Sequence, residues 1–422
     1  MTRKGENLSA WALFSAMIAM AGLPIYIHAP KFYVDSYQIS LGTLGATLFG
    51  LRLLDVVQDP FLGGIVAGYP QKRGLMMLGA GALMAVAMVG LFAVTPPFAP
   101  LLWFVLCLTL LFSAFSLASI CFYAQGIAKA QGLGPLGHIR LAGWRESGAL
   151  VGVSLAAVAP LALLIFTDAP FAGFAYGFCL LVLAAVWLMR FEWHAEPSTP
   201  YAPVSLHRLI LQKTTRRFLI LALLNGAPVA VTSTLFLFFV ESRLQSPLAA
   251  GPLLLLFFLS AAVSAPIWAQ LARAFGAKEM LQIGMILAII TFGFAAFLGE
   301  GQVVQFALIC LSSGVALGAD MTLLPAIFAR HLASTWGEGA GGLGFGLWAF
   351  VSKVSLALAA AFLLPLLQLF GYQAGEDNSA QTLWALSAAY ALLPCVLKLC
   401  AFALLSMTKI ADANLAFNKG NF

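Results

Sequence analysis

Between Gly42 and Gly68 the chain stays apolar for long enough to cross a bilayer, yet the middle of the stretch, RLLDVVQDPFLGGIVAG, carries Arg52, Asp55 and Asp59, with Pro60 directly behind. Few patterns restrict a fold more. Charges at membrane depth are costly and have to face protein or a water-filled cavity. At roughly 100° per residue the three groups fall within an arc of about 60°, so one face of this helix must turn away from lipid. Pro60 lacks an N–H, and its ring displaces the carbonyl four residues back, that of Val56. Two carboxylates, the Gln58 amide and that carbonyl form an oxygen-rich set suited to a hard cation or a proton. The plainer alternative is an Arg–Asp pair that only holds helices together, but one arginine leaves a second carboxylate over.

The rest of the chain fits the same setting. Its 422 residues are 62% hydrophobic and 9% charged, with mean hydropathy +0.96, a composition that excludes a soluble globular domain. At roughly 30–35 residues per span and loop, the length gives about twelve helices. Spans are expected at about 8–30, 40–68, 74–95, 99–124, 138–166, 170–192, 217–240, 248–275, 278–299, 302–330, 342–371 and 380–408. Breakers lie between them: TPP at Thr95, FTDAP at Phe166, QSP at Gln245 and AGED at Ala374. The first apolar run, Trp11 to Ile27, has no small-residue cleavage site before a polar chain and reads as span one rather than a signal peptide.

The net charge of +6 is no nucleic-acid signal, because Lys and Arg sit in short loops. Alternate loops hold Lys72, Lys129, Arg190, Arg273, Lys278 and Arg330, whereas the others hold only Lys31 and Arg243. By the positive-inside rule this predicts a multi-pass protein of the cytoplasmic (inner) membrane with both termini cytoplasmic. The 6 cysteines all lie in apolar runs without metal-ligand spacing and read as packing residues.

The longest polar stretch, about Phe191 to Arg217, follows the sixth span. It divides the chain into an N-terminal bundle (1–193), a cytoplasmic linker (194–216) and a C-terminal bundle (217–422). The expected fold is thus an all-α membrane protein of twelve transmembrane helices in two six-helix bundles. Two bundles that rock about a midplane site are a transporter arrangement. No motif pairs a nucleophile with a base, so an enzyme is not expected. The expected partners are a small-molecule substrate, a coupling cation (Na⁺ or H⁺) and the lipid bilayer, with no nucleic acid and no other cofactor; the chain is expected to be a monomer.

Further charges interrupt other spans. Lys353, in GFGLWAFVSKVSLALA, stands about 18 Å along its helix from the cytoplasmic start, too deep to snorkel easily. A lysine there wants a carboxylate, and the second-span aspartates are the obvious partners. Trp348, five residues before it, either lines the same cavity or packs. Arg145 and Glu146 lie in RLAGWRESGALVG; adjacent residues point about 100° apart and need not pair. Arg145 is read as a substrate or gating residue or a structural ion pair, and Glu146 as structural. Asp320, in LGADMTLLP, reads as an ion pair at the interface of the halves or as part of a proton relay. Lys398 reads as snorkelling or structural, and His28 and Lys31 as part of an interfacial belt. The glycines of Gly337 to Gly346 permit close helix approach and sliding.

RLLDVVQDPFLGGIVAG resembles the second-helix motif of the glycoside–pentoside–hexuronide:cation symporters of the major facilitator superfamily. FYVDSYQISLGTLG, WRESGALVG, LGADM and FGLWAFVSKVSLALA followed by Gly371 resemble further landmarks of that family in the right order, so the likeness covers both halves. It implies the major facilitator fold, alternating access, and a cation that moves together with a sugar or glycoside-like substrate. It makes Asp55 and Asp59 the cation carboxylates, aligns Ser116 with a hydroxyl ligand and Gln58 with an asparagine, and puts Lys353 close by, with Arg52 and Lys353 as charge-compensating groups. It matches Arg145 to an arginine near the sugar cavity. Two sugar-binding carboxylates of relatives align with Ala19 and Ser119, and the first-span wall of Met17, Met20, Leu23 and Tyr26 is apolar. A sugar needs strong acceptors to offset lost hydration. The departures therefore open two alternatives: a proton-coupled exporter or carrier of a lipid or other amphiphile, and a non-transporting sensor or assembly factor with a transporter's fold. The intact second-span carboxylates argue against the last.

Overall fold

A computed structural model describes residues 7–134, 136–193, 205–372 and 378–408. Among the described residues the regular secondary structure is all helical. The first half holds α1 (Leu8–Met20), α2 (Leu23–Tyr37), α3 (Leu41–Gly68), α4 (Arg73–Phe92), α5 (Pro100–Gly132), α6 (Gly137–Leu163) and α7 (Pro170–Met189). A short α8 (Leu206–Leu211) leads into α9 (Lys213–Phe238), α10 (Ala250–Phe275), α11 (Ala277–Gly293), α12 (Val303–Trp336), α13 (Gly341–Leu369), α14 (Ala380–Ser387) and α15 (Leu393–Met407).

Among the described residues, nine helical segments are long and apolar enough to cross a membrane. α3 and α6, at 28 and 27 residues, also have the length, and each carries two buried charges, Asp55 and Asp59 on α3 and Arg145 and Glu146 on α6. α14 and α15 join through one π-helical turn, Ala388–Leu392, into a single span. The first span departs from the expected helix over 8–30. It breaks at Ala21–Gly22 and restarts as α2, which runs on to Tyr37. The backbone leaves the helical region at Gly22, with φ −94° and ψ −119°. At the other end of the first half, α9 begins at Lys213, inside the expected linker, because the Gln212 side chain accepts the Thr215 N–H and caps it. Residues 194–204 of the linker lie outside the described residues.

Local chemistry sets the other ends. Ser40 caps α3 by accepting from the Thr43 N–H, and prolines at the first positions of α5 and α7 need no intrahelical donor. α10 turns into α11 at Gly276, whose φ of 100° lies in the left-handed region that glycine tolerates.

Each half has its own core. In the first, Trp11 and Phe14 pack on Phe122 at ring-centroid distances of 4.9 and 5.1 Å. In the second, Phe239 stacks on Tyr390 at 4.3 Å. A third cluster joins the halves at the end where the linker sits: Ile127, Ile139 and Ala142 bury against Trp268, Leu323 and Phe328. Backbones approach closely along this junction. A Cβ added at Gly342 would stand 2.6 Å from the Ala67 amide nitrogen, and one at Gly143 would stand 2.7 Å from Ala269 Cβ. These approaches lie on the linker side of Lys353. Toward the opposite end α3 leaves Thr43, Gly45, Ala46, Phe49 and Gly50 exposed. The halves thus meet closely at the linker end.

Candidate functional site

Helix α3 runs unbroken through Pro60 and turns Asp55 and Asp59 inward, at 3% and 0% exposure. Gly63, one turn on, lets α13 come against it, and that contact carries Lys353 to the carboxylates. The Lys353 Nζ donates to Asp59 Oδ1 at 3.0 Å and to Ser116 Oγ of α5 at 2.6 Å, and stands 3.6 Å from Asp55 Oδ1. Gln58 Nε2 donates to Asp55 Oδ1 at 2.7 Å, and Ser113 Oγ donates to Gln58 Oε1 at 2.9 Å. One ammonium from the second half therefore sits among two carboxylates and a hydroxyl of the first. Asp59 Oδ2 is buried without a hydrogen-bond partner. A buried carboxylate oxygen in that condition is a ready acceptor for a small cation or a proton.

Arg145 and Glu146 do pair. The Arg145 side chain folds back so that Nε donates to Glu146 Oε1 at 2.8 Å, while its guanidinium lies 3.8 Å from the Tyr123 ring centroid. Tyr123 donates its hydroxyl to the same Glu146 oxygen at 2.9 Å. A long side chain can curl across the angle between neighbours, which backbone geometry alone does not reveal. Arg145 Nη2 is left buried and without a hydrogen-bond partner. Tyr123→Phe removes one hydrogen bond to a charged acceptor while keeping the ring under the guanidinium. Its expected cost is about 1.5–3 kcal/mol, read as a lowered unfolding temperature of the detergent-purified protein; an unchanged temperature contradicts the assigned bond.

Asp320 is paired, but not between the halves. Its Oδ2 accepts from Lys398 Nζ at 2.6 Å, and the same ammonium donates to Asn225 Oδ1 at 2.7 Å. All three residues belong to the second half, on α12, α15 and α9, because α15 packs against α9 and α11. Lys398, 4% exposed, does not snorkel. His28 is half-buried and meets the Ala156 carbonyl at 3.0 Å and the Phe171 and Phe174 rings.

Trp348 is half-buried and stacks on Phe328 at 4.9 Å. Ala19 and Ser119 are half-buried on α1 and α5. The side chains of Arg52, Tyr26 and Lys31 lie outside those described. Sequence reasoning missed Asn225, Ser113 and Tyr123. For Asn225 a signal was present, since an amide in an apolar span needs a polar partner.

Solved structures share this architecture. A crystal structure of a bacterial homologue of the iron transporter ferroportin in the outward-facing state is 14% identical, with TM-score 0.67, over 94% of this chain and 100% of that one. The same protein type with soaked iron is 15% identical, with TM-score 0.65, over 93% and 98%. At such identity the likeness is one of fold. No curated protein matches the chain in sequence. The sequence profile described as MFS/sugar transport protein matches residues 9–412, which is nearly the whole chain and includes every residue of the Lys353 site. The chain belongs to this family of multi-pass membrane transporters, within the major facilitator superfamily.

Proposed function

We propose that the chain is a cation-coupled secondary transporter that carries a small organic solute by alternating access, with Asp55 and Asp59 as its cation site. The observation that supports this is the Lys353 ammonium, 3.0 Å from Asp59 and 3.6 Å from Asp55. It fills the position that Na⁺ or a proton would take. Arrival of the coupling cation makes the lysine redundant, frees α13 from α3, and changes the relative stability of two packings of the halves. A ligand shifts such an equilibrium only through different affinities for the two states, and a carboxylate pair shared with a lysine of the other half supplies that difference. Ser116 and Gln58 complete the site, and Arg52 shares the charge compensation. By the positive-inside rule the linker end is cytoplasmic, so in this conformation the halves are packed closely on the cytoplasmic side.

The family points to a sugar or glycoside-like solute, with Arg145 near it. A second reading is favoured by Ala19 and Ser119, which bring no charge where relatives bring sugar-binding carboxylates. That reading is a less hydroxylated, amphiphilic solute, moved inward or exported against protons. The test is uptake into proteoliposomes under imposed Na⁺ or pH gradients, with a panel of labelled glycosides and lysolipids. Asp59→Asn is expected to abolish gradient-driven uptake, a loss of at least about tenfold for about 1.4 kcal/mol of coupling, while the protein still inserts. Undiminished gradient-driven uptake by Asp59→Asn refutes the assignment.

A further inference from the structure

Between Glu196 and Glu241 the sequence has no Asp or Glu, yet it holds Arg208, Lys213, Arg216 and Arg217. These four cations belong to α8 and the opening turns of α9. Arg208, Lys213 and Arg216 are exposed, and Arg217 is half-buried. None of the four pairs with a carboxylate among the described residues. Lys213, Arg216 and Arg217 stand three and four residues apart, so three like charges crowd one face of α9, which is unfavourable by itself. Cations of the first half at the same end are placed differently. Lys129 pairs with Glu192 at 2.6 Å, and the Arg190 guanidinium lies 4.0 Å from the Trp187 ring centroid.

Apolar surface lies beside these charges. Ser205 caps α8 by accepting the Arg208 N–H at 3.3 Å, and Leu209 buries in the cluster that holds Leu281 of α11 and Leu405 of α15. This leaves Leu206 and Ile210, one turn apart, exposed together with Leu211. On α9, Lys213, Arg216 and Ile220 recur at the spacing of one helix face, and Ile220 is exposed too. The halves meet closely at this end, so an exposed apolar side chain of a spanning helix borders lipid here, not a cleft between the halves. The rise from Ile220 back to Lys213 is about 10 Å. The cations therefore stand at the level of the headgroups, just beyond the acyl boundary.

We propose that α8 and the opening turns of α9 form a docking surface for anionic phospholipid in the leaflet at the linker end, the cytoplasmic leaflet by the positive-inside rule. Leu206, Ile210 and Leu211 enter the acyl boundary, as the apolar side of an interfacial segment does. The guanidiniums and the ammonium donate charge-assisted hydrogen bonds to phosphate oxygens. Charge selects the occupant. A stretch of four cations without a carboxylate repels the ammonium of a zwitterionic headgroup and repels a second copy of itself, whereas an anionic headgroup relieves the crowding on α9. Because Leu209 ties α8 into the second half, the lipid grips that half alone. The start of the linker is held by protein instead, through Glu192 with Lys129 and Trp11. The surface lies apart from Asp55 and Asp59 and does not depend on the cation reading of that pair.

The test uses the full chain with its 6 native cysteines replaced and a bimane label on Leu211→Cys, at a position 59% exposed. Brominated phosphatidylglycerol or brominated phosphatidylcholine is titrated into the protein in non-ionic detergent, and quenching of the label reads lipid at α8. Each basic residue near an anionic surface is worth about fivefold, the equivalent of about 1 kcal/mol. Phosphatidylglycerol is thus expected to half-quench at a concentration at least about 25-fold below that of phosphatidylcholine. Arg208→Gln combined with Arg216→Gln is expected to raise its half-point by about 25-fold, whereas Arg190→Gln, at the same end of the first half, leaves it unchanged. Raising salt from about 0.1 to about 1 M shortens the screening length from about 10 to about 3 Å. It is expected to weaken quenching by phosphatidylglycerol and to spare phosphatidylcholine, in a protein that needs no charge variant to fold. Equal half-points for the two lipids overturn the proposal. So does an Arg190→Gln protein as weakened as the double variant, because the effect then belongs to the overall charge. Displacement of phosphatidylglycerol by inorganic phosphate at equal concentration also overturns it, since a free anion is then the occupant.

Discussion

Lys353→Met is expected to cost about 3–5 kcal/mol of stability, the usual result of removing one partner from a buried ion pair. The physical reason is the geometry on α3. Asp55 and Asp59 are 3% and 0% exposed and have Lys353 between them. Without the ammonium, two carboxylates face each other in a low-dielectric site, and each makes the other's charge more costly. The variant should therefore recruit what the lysine replaced. Its unfolding temperature is expected to rise with Na⁺ or with acidification, following the mass-action stabilisation of a ligand that binds only the folded state. Wild type, whose site is already filled, should respond less. Lys353→Met combined with Asp59→Asn is expected to recover most of the loss, because the second change removes the charge the first left stranded. Thermal unfolding of the four proteins, with and without Na⁺ at two pH values, makes the comparison. A Lys353→Met protein as stable as wild type and indifferent to both ions sinks the idea that this lysine stands in for the coupling cation.

The arrangement around Lys353 is largely legible in the amino-acid sequence because charge in an apolar span is so constrained. An aspartate pair on one helical stripe and a lysine too deep to snorkel leave few ways to reach neutrality. Asp320 and Lys398 obey the same rule, but with several buried charges the sequence does not say which neutralises which. Packing decides it, by bringing α15 against α9 rather than against the first half. Arg145 and Glu146 show the converse limit: backbone periodicity separates neighbours by about 100°, yet a flexible guanidinium bridges the gap. The break after Met20 falls at Gly22, which hydropathy alone overlooks because glycine can leave the helical region without interrupting an apolar run. The glycine-rich run near Gly342 announces close approach, but the backbone it meets, that of α3, is selected by the packing of the two halves.

Gly342→Val is expected to drive the halves apart at the linker end. A Cβ at this position would stand 2.6 Å from the Ala67 amide nitrogen and 2.8 Å from the Gly63 carbonyl oxygen, and both are backbone atoms that cannot turn aside. Overpacking of this kind costs about 1–3 kcal/mol, and here the cost falls only on the state in which α3 and α13 touch. The alternative packing, with the linker end open, escapes it, so the population should move toward that state by about 5–150-fold. Gly64→Val is the matched control, since nothing lies within 4 Å of a Cβ built there. Ile127, 0% exposed in the junction cluster, provides the reporter. With the 6 native cysteines replaced, Ile127→Cys should react slowly with a water-soluble maleimide in the parent protein and in Gly64→Val, and much faster in Gly342→Val. Equal rates in all three would mean that the α3–α13 contact does not hold this end shut. A faster rate with unchanged uptake would mean that closing the linker end is not a step the transporter has to complete. The glycines serve transport only if both change together, because alternating access requires the same contact to form tightly and then be given up.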